Sequence, residues 1–393
     1  MTQIPITRAI FDDDDLAAIQ EPLRSGWVVQ GPRVAEFERD FVRWTHAGHA
    51  IATTSCTTAL QLALAALGCG PGDEVLVPAF TWIATANVVE HCGARPVFVD
   101  VDLATYNIDC AAIEAAITPR TVGIIPVHLF GQPAEMRRIM AIASRRGLWV
   151  VEDAACGFDT WLDEHHVGTF GEFGCFSFHP RKSITTGEGG MVLTADSARA
   201  SLARTLRDHG ASRSDLERHA QQYSFLLAEY RHLGYNCRMT DLQGALGVTQ
   251  LRKAEWIMAE RRRAAAWYDA LLAPVDWLIP PHRDPRVRHG EQSYVCLFHP
   301  ETPTLANVDR LFARRNDGMA ALEAQGIVTR QGTHAPPHLH YYREAYGYVP
   351  EDFPNAYLAE RCTITLPMYA GMTEDECVRV VDALQTVFTG VTA

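Results

Sequence analysis

Short runs of apolar, β-favouring residues alternate with helix-like segments over about residues 48–200. The runs predict seven strands, at 50–53, 74–77, 96–99, 122–127, 148–151, 175–178 and 191–194. Segments between them, at 57–67, 83–92 and 136–146, have the apolar spacing of helices. This alternation is typical of an α/β domain in which helices cover a mostly parallel sheet.

The pattern changes near residue 255. A long helix is predicted at 254–272, and proline-rich loops with short strands such as 294–298 follow, which indicates a smaller α+β domain. Before the sheet, two helices are predicted at 12–25 and 34–45, and we expect them to pack on the smaller domain or across a subunit contact. The acidic run at 12–15 suits a helix N-terminus, where negative charge is favourable. We therefore predict a large domain with the N-terminal segment over 1–255, and a smaller domain over 256–393.

Composition narrows the classes of function. With 47% hydrophobic and 21% charged residues, the 393-residue chain can bury a substantial core. Its 35 Lys and Arg against 47 Asp and Glu give a formal charge of -12, which argues against nucleic acid and membranes as partners. The ten cysteines show no CxxC pair and no disulfide framework. We expect a soluble cytoplasmic protein without a leader or a membrane span.

The strongest candidate chemistry lies where the strand at 175–178 leads to Lys182 and a glycine-rich turn at 185–190. A lysine amine forms an imine with an aldehyde, and we expect a desolvated, positively influenced site to lower its pKa so that it acts as nucleophile and base. Asp153 ends an apolar strand, where a carboxylate can keep a pyridine nitrogen protonated. Taken singly, Lys182 reads as a surface lysine and Asp153 as a helix cap.

Two further segments support a site for pyridoxal 5'-phosphate (PLP). Ser55, Cys56 and Thr57 lie where a strand gives way to a helix, and free backbone N–H groups there can bind a phosphate. Trp82 follows the next strand and could lie flat against a pyridine ring. Each signal is weak by itself, because hydroxyl caps are common and aromatic residues after strands usually belong to the core.

In order and spacing, these segments resemble the nucleotide-sugar aminotransferases, the DegT/StrS-like PLP-dependent enzymes with the aspartate-aminotransferase fold, fold type I. The resemblance covers nearly the whole chain. It includes matching motifs at 25–31, 36–38, 72–75, 98–102, 127–131, 234–241 and 366–368. It implies a large domain with a mostly parallel seven-stranded sheet and a smaller C-terminal α+β domain.

The resemblance also implies roles for individual residues. Lys182 would hold PLP as a Schiff base, Asp153 would pair with the pyridinium nitrogen, and Trp82 and Ala155 would cover the two ring faces. The remaining cofactor-binding residues would be Ser55, Cys56, Thr57, Ser177 and, from the neighbouring subunit, Asn236. The implied assembly is a homodimer with composite active sites.

The sequence departs from the family pattern at two cysteines. Cys56 stands where the family usually has glycine in the phosphate turn. Cys156 stands where many relatives carry Gln or His, whose side chain could contact the 3-oxygen of the cofactor.

The implied reaction moves an amino group from glutamate or glutamine to a keto-sugar, such as a nucleotide-linked 4-keto or 3-keto deoxysugar. Lys182 would carry protons between the substrate Cα and the cofactor C4'. Three alternatives stay open: an aminocyclitol aminotransferase, a PLP-dependent sugar dehydratase and a non-catalytic PLP-binding regulator. The lysine favours transamination, since related dehydratases have His there, and no helix-turn-helix is appended that would indicate a regulator.

Candidate substrate contacts lie in loops, where specificity usually resides. They are Trp27, Gln30, Arg238, His334 and His338. The histidine-rich stretch at 334–340 has no Cys or carboxylate at a matching spacing, so no metal site is predicted.

Overall fold

The computed structural model describes residues 3–212 and 228–389. The helices in these ranges are α1 (Asp13–Ser25), α2 (Pro32–Thr45), α3 (Cys56–Ala66), α4 (Ala84–His91), α5 (Cys110–Ala116), α6 (Met136–Arg146), α7 (Ser197–Arg207), α8 (Asp241–Arg252), α9 (Ala254–Leu272), α10 (Val308–Ala324), α11 (His340–Tyr346), α12 (Pro354–Cys362) and α13 (Glu374–Thr389). The strands are β1 (His49–Thr53), β2 (Glu74–Pro78), β3 (Arg95–Val99), β4 (Thr121–Ile124), β5 (Trp149–Asp153), β6 (Trp161–Leu162), β7 (His165–His166), β8 (Phe173–Ser177), β9 (Gly190–Thr194), β10 (Leu278–Ile279), β11 (Val287–Arg288), β12 (Tyr294–Phe298) and β13 (Thr363–Leu366).

The seven predicted strands form one sheet, in the order β1-β9-β8-β5-β4-β2-β3. Neighbours from β8 to β3 pair in parallel, whereas β9 is antiparallel to both β1 and β8. Every residue of β2 and β9 is buried, as expected for strands covered by helices on both faces. Because β1, β2, β5 and β8 run in the same direction, their carboxyl ends meet at one edge.

The two N-terminal helices are confirmed, and within the described chain they pack mainly on α8. The core cluster that contains Phe37 and Phe41 also includes Met258 and Ala370, which belong to the predicted smaller domain. The acidic run begins α1, since the Asp12 carboxylate accepts hydrogen bonds from the N–H groups of Asp14 and Asp15. The Asp15 side chain points inward and is 1% exposed. It forms an ion pair with Lys253 and accepts a hydrogen bond from the Thr249 hydroxyl at 2.5 Å. We call this cluster, Asp12, Asp15, Thr249 and Lys253, the Lys253 lock.

A second carboxylate anchors the loop that leads into α2. Asp241 Oδ1 accepts hydrogen bonds from the N–H groups of Gly31 and Val34, both at 2.9 Å, and Oδ2 accepts one from Arg33 N–H at 3.1 Å. The helix has no side-chain cap of its own at Gly31. Glycine is required there because a Cβ would lie 1.9 Å from Trp27 Nε1.

The C-terminal part of the chain contains a three-stranded antiparallel sheet, β10-β12-β13. Its core contains residues of α9, α10 and α13, and Ile4 joins that core by donating a backbone hydrogen bond to Gly326. Helix α9 begins at Ala254 and continues past residue 255, where the boundary between the two domains was predicted. The domain boundary stays a prediction. No helix within residues 3–212 and 228–389 is long and apolar enough to cross a membrane.

Candidate active site

The carboxyl ends of the parallel strands bring the candidate chemistry to one edge of the sheet. Asp153 is the last residue of β5, Lys182 follows β8, Trp82 follows β2 and the phosphate turn follows β1. Parallel α/β sheets bind ligands in the crevice outside this edge. Residues far apart in sequence are therefore gathered by sheet topology.

Asp153 is almost completely buried, with 5% of the residue exposed to solvent. The Thr85 hydroxyl donates a hydrogen bond to Oδ2 at 2.8 Å, and the Ala155 N–H donates one to Oδ1 at 3.1 Å. Burial raises the pKa of the Asp153 carboxyl, and these two hydrogen bonds oppose the rise. A carboxylate in this state is suited to share a proton with a ring nitrogen.

Thr85 was not predicted from the sequence, although it binds the central carboxylate. It lies three positions after Trp82, in the first turn of α4, and its hydroxyl is also within 3.1 Å of the Trp82 carbonyl oxygen. A threonine one helical turn after the candidate stacking residue was the available signal.

Lys182 is half-buried, and its amine donates a hydrogen bond to Cys156 Sγ at 3.2 Å. Removal from water lowers the pKa of the amine, but Cys156, Cys56 and Asp153 raise it, and the net direction is upward. The predicted lowering of the pKa is therefore wrong for the chain as described. The physical reason is that the sequence showed the neighbouring Arg181 but not the acidic groups that surround the amine.

The start of α3 offers donors to an anion. The Ser55 and Thr58 side chains form a capping box with each other's backbone N–H groups. Within the described residues, this leaves the N–H groups of Cys56 and Thr57 without a partner, at the positive end of the helix dipole. Gly190 of β9 lies directly against the turn, since a Cβ there would be 2.4 Å from the Ser55 carbonyl carbon.

Cys56 is compatible with a phosphate in this turn. It is buried, its Sγ lies 3.9 Å from Asp153 Oδ1, and burial raises the pKa of its thiol well above the usual range. A thiol kept neutral does not repel an anion. Ser177 ends β8 on the lysine side of the same edge and is partly exposed.

The residues present fit PLP. A buried carboxylate suits the ring nitrogen, an amine suits the aldehyde and the first turn of α3 suits the phosphate. Ala155 joins them through its N–H contact with Asp153, and the Ser183 hydroxyl beside Lys182 is buried with no hydrogen-bond partner in the described part of the chain.

Two of the candidate substrate contacts, His334 and His338, are close in sequence but lie in different surroundings in the structure. The Trp82 ring is 61% exposed and lies 5.9 Å from the His334 ring, and Thr81 N–H donates to the His334 carbonyl. Glu360 lies 3.5 Å from His334 Nδ1 and raises the pKa of that imidazole. His338 instead lines a separate cavity of about 340 Å³ and packs edge-on against Tyr357. Of the two, His334 adjoins the candidate cofactor residues.

The other predicted substrate and subunit contacts are dispersed. Trp27 donates a hydrogen bond from Nε1 to the Gln30 carbonyl at 3.3 Å, and Gln30 Oε1 is buried without a partner among the described residues. Arg238 forms an ion pair with Asp208 at 2.5 Å. Asn236 is exposed and forms an isolated antiparallel bridge with Asp208. The next residue joins this segment to the end of β1, because the Thr54 N–H donates a hydrogen bond to the Cys237 carbonyl.

Sequence comparisons identify a family that this chain matches over nearly its whole length. The sequence model of the DegT/DnrJ/EryC1/StrS aminotransferase family matches residues 10–385. The chain is 36% identical over 388 residues to the spore coat polysaccharide biosynthesis protein SpsC of Bacillus subtilis (strain 168), covering 98% of this chain and 97% of SpsC. It is 37% identical over 392 residues to GDP-perosamine synthase of Caulobacter vibrioides, covering 98% and 99%.

A solved structure matches the fold over the full length. The PLP-form of the putative sugar aminotransferase Spr1654 from Streptococcus pneumoniae has a TM-score of 0.90 and 27% sequence identity, covering all of both chains. A PMP-form of the same protein matches with the same TM-score. The predicted fold class is confirmed.

Proposed function

Because the chain belongs to the DegT/DnrJ/EryC1/StrS aminotransferase family, we propose that it transfers an amino group from glutamate or glutamine to a nucleotide-linked keto-sugar. Membership of this family identifies the chain as a PLP-dependent sugar aminotransferase. The observation that carries the finer proposal is its 37% identity to GDP-perosamine synthase over nearly the full length of both proteins. A 4-keto or 3-keto deoxysugar is the proposed acceptor class.

Lys182 is the proposed catalytic amine, and the sequence offers one other lysine for this role. Lys182 and Lys253 are the only lysines among the 35 basic residues. The amine of Lys253 is paired with both Asp12 and Asp15, away from the sheet edge. Lys182 lies beside Asp153 and Cys156, where an amine can exchange protons with a bound substrate.

In the proposed mechanism, each residue does one physical task. When bound, the cofactor supplies an electron-withdrawing ring that stabilises negative charge on the substrate carbon. Asp153 keeps the proton on the ring nitrogen, and Thr85 orients its carboxylate. Lys182 Nζ takes the proton from the substrate Cα and returns it to the neighbouring carbon. The exposed Trp82 ring orients the group from one face.

The phosphate contacts complete the proposed site. The N–H groups of Cys56 and Thr57 and the hydroxyls of Thr57 and Ser177 are the proposed donors from the same chain. Ser55 contributes by holding the turn, because its own hydroxyl is occupied as the helix cap. Ala155 lies opposite Trp82 in this arrangement.

A shared site in a homodimer is part of the proposal. Asn236 is exposed, and close to it in sequence Leu233 and Tyr230 are 96% and 67% exposed, which is unusual for apolar side chains unless another surface covers them. We propose that a second copy covers this region and receives Asn236 at its phosphate. Mixed dimers of Lys182→Ala and Asn236→Ala subunits should then recover up to about half of wild-type activity, since one site would be intact. Inactive, well-folded mixed dimers with an impaired Asn236→Ala parent would contradict a shared site.

A reducing compartment, the cytoplasm, is proposed with the function. All ten cysteines are free thiols, and several lie close to the proposed cofactor residues. Such a site would be exposed to adventitious oxidation in a secreted protein.

The site assignment is tested by reducing the PLP-loaded enzyme with borohydride and mapping the labelled peptide. Because the chain has only two lysines, a trapped label can lie on one of only two side-chain amines. Label on Lys182 is expected, and label on Lys253 would remove the assignment. The Lys253→Met variant is the matched control and should be labelled as strongly as wild type.

The substrate is tested by a panel. The enzyme is incubated with glutamate or glutamine, then with nucleotide-linked 4-keto and 3-keto sugars and with keto-cyclitols, and products are identified by mass. Amination of a nucleotide-linked keto-sugar is expected. Amination of a keto-cyclitol alone would select the aminocyclitol alternative, loss of a sugar hydroxyl without amine gain would indicate a dehydratase, and no turnover of any acceptor or donor would favour a regulator.

A further inference from the structure

Cys156 occupies a fixed position beside the proposed catalytic amine. It lies in a tight turn after β5, in which the Gly157 N–H donates to the Ala154 carbonyl at 2.8 Å. The Ala154 N–H in turn donates to the Cys175 carbonyl of β8 at 2.8 Å. The backbone on one side of Cys156 is therefore attached to the large sheet, and the sulfur can move only by rotation about the Cα–Cβ bond.

The Sγ of Cys156 is the hydrogen-bond acceptor of Lys182 Nζ, at 3.2 Å, and the described residues contain no other hydrogen-bond acceptor for that amine. A thiol sulfur is a weak acceptor when neutral and a stronger one when ionised. In the family that the sequence resembles, Gln or His at this position could contact the 3-oxygen of the cofactor. In this chain the side chain is shorter, and its polar atom contacts the lysine instead.

We propose that Cys156 is a positioning residue, which holds the Lys182 amine by accepting its hydrogen bond during the half of the reaction cycle in which that amine is not joined to the cofactor. The proposal rests on the proposed function, in which Lys182 is the amine that moves the proton. The amine must return to the same place in each cycle, and a fixed acceptor limits where it goes.

The groups that face the amine come from several elements. Cys56 begins α3, Asp153 ends β5, Cys156 lies in the turn after β5, and His179 lies on the lysine's own loop. Among these groups Cys156 alone accepts a hydrogen bond from the amine within the described residues, and of the neighbours that raise the pKa of Lys182 it has the largest effect. Removing its sulfur should lower the pKa of the amine as well as free its position.

The two-lysine composition allows a direct test by competitive labelling. The enzyme is loaded with pyridoxamine 5'-phosphate, which has no aldehyde and leaves the Lys182 amine free. Trace acetic anhydride is added at a series of pH values, and the acetylated Lys182 and Lys253 peptides are quantified by mass spectrometry. Lys253 serves as an internal reference in the same molecule.

Cys156→Ala should move the midpoint of the Lys182 labelling profile to lower pH, so that below the midpoint Lys182 is labelled about tenfold faster relative to Lys253, as a shift of one pH unit gives. Improved access alone would raise the plateau and leave the midpoint unchanged. Cys156→Ser, which keeps an acceptor of similar size, should return most of the profile toward wild type. Cys175→Ala removes a neighbouring buried thiol without removing the Nζ–Sγ hydrogen bond, and it should not move the midpoint.

An unchanged midpoint in Cys156→Ala, or equal shifts in Cys156→Ala and Cys175→Ala, would overturn the proposal. Failure of the proposed function gives a different result, because borohydride would then not fix PLP to Lys182, and both proposals would fall. Trapping at Lys182 together with an unmoved midpoint removes only the role of Cys156.

Discussion

The chain contains two lysines next to buried aspartates, and the two regions differ in how completely their polar groups are paired. In the Lys253 lock, the Asp15 carboxylate is bound by the Lys253 amine, the Thr249 hydroxyl and the Gln250 amide. At the sheet edge, Lys182 has one sulfur acceptor, and the first turn of α3 keeps unpaired N–H groups within the described chain.

Lysine and aspartate therefore serve different purposes in the two regions. A cluster whose donors and acceptors are all paired stabilises a fold, whereas a cluster with unpaired donors has free energy left to gain from a ligand. Completeness of pairing distinguishes the two regions better than burial or charge. A substitution in one region can therefore be controlled by a matching substitution in the other.

The largest expected effect is on turnover when the carboxylate at the sheet edge becomes an amide. Asp153→Asn should retain cofactor but lose about a thousandfold in kcat, because an amide cannot hold the ring proton as charge develops. Asp15→Asn should change kcat by less than about twofold, since it lies outside the site. Cofactor content by absorbance and steady-state kinetics measure both, and near-normal turnover in Asp153→Asn would show that another group protonates the ring.

The second effect concerns stability and is expected in the opposite region. Lys253→Met leaves the buried Asp15 carboxylate without its cation and should cost about 3 kcal/mol in the free energy of unfolding, measured with urea. Lys182→Met should change that free energy by less, because its partner Cys156 is not a buried carboxylate, yet it should abolish turnover. Equal urea midpoints for Lys253→Met and wild type would show that the Lys253 lock does not stabilise the fold.

A smaller effect tests the support of Asp153. Thr85→Val removes the hydroxyl that donates to Oδ2, and a hydrogen bond to a charged group of this kind is worth about tenfold in kcat. Thr85→Ser keeps the hydroxyl and should stay within about threefold of wild type. If Thr85→Ser loses activity and Thr85→Val does not, the methyl packing of Thr85 matters and its hydrogen bond does not.

The smallest effect is expected at the exposed ring. Trp82→Leu should weaken cofactor binding about fivefold, as the loss of one aromatic contact predicts, and Trp82→Phe should retain most of the affinity. Equilibrium dialysis of the released cofactor gives the Kd. A Kd unchanged in Trp82→Leu would show that the ring faces the substrate or a neighbouring chain and not the cofactor.

Much of this arrangement could be predicted from the sequence because it depends on local pattern. The apolar runs identified all seven strands of the large sheet, and the positions of Asp153 and Lys182 after strands placed them at the same edge. The helix start at Cys56 was recognisable from its hydroxyl residues. These signals involve neighbours in sequence, or the shared direction of parallel strands.

Other features depend on contacts across the fold, which a single sequence does not encode locally. The hydrogen bond from Thr85 to Asp153 joins residues 68 positions apart, and Asp241 reaches Gly31 across 210 positions. The pKa of Lys182 was predicted in the wrong direction for the same reason, since Cys56 and Asp153 approach it only in three dimensions. His334 and His338 were inseparable in sequence because the short helical turn that parts them follows from proline geometry and packing.

The anchoring of the loop before α2 by Asp241 has a consequence for how this enzyme could be altered. Among residues 3–212 and 228–389, the carboxylate accepts hydrogen bonds from main-chain N–H groups alone, which every amino acid except proline provides. The side chains at positions 28–30 take no part in these hydrogen bonds, so their exchange leaves the anchor at Gly31, Arg33 and Val34 in place. Trp27, which packs over Gly31, and Gly31 itself have to be kept. A randomised library confined to those three positions would test whether this loop determines acceptor choice.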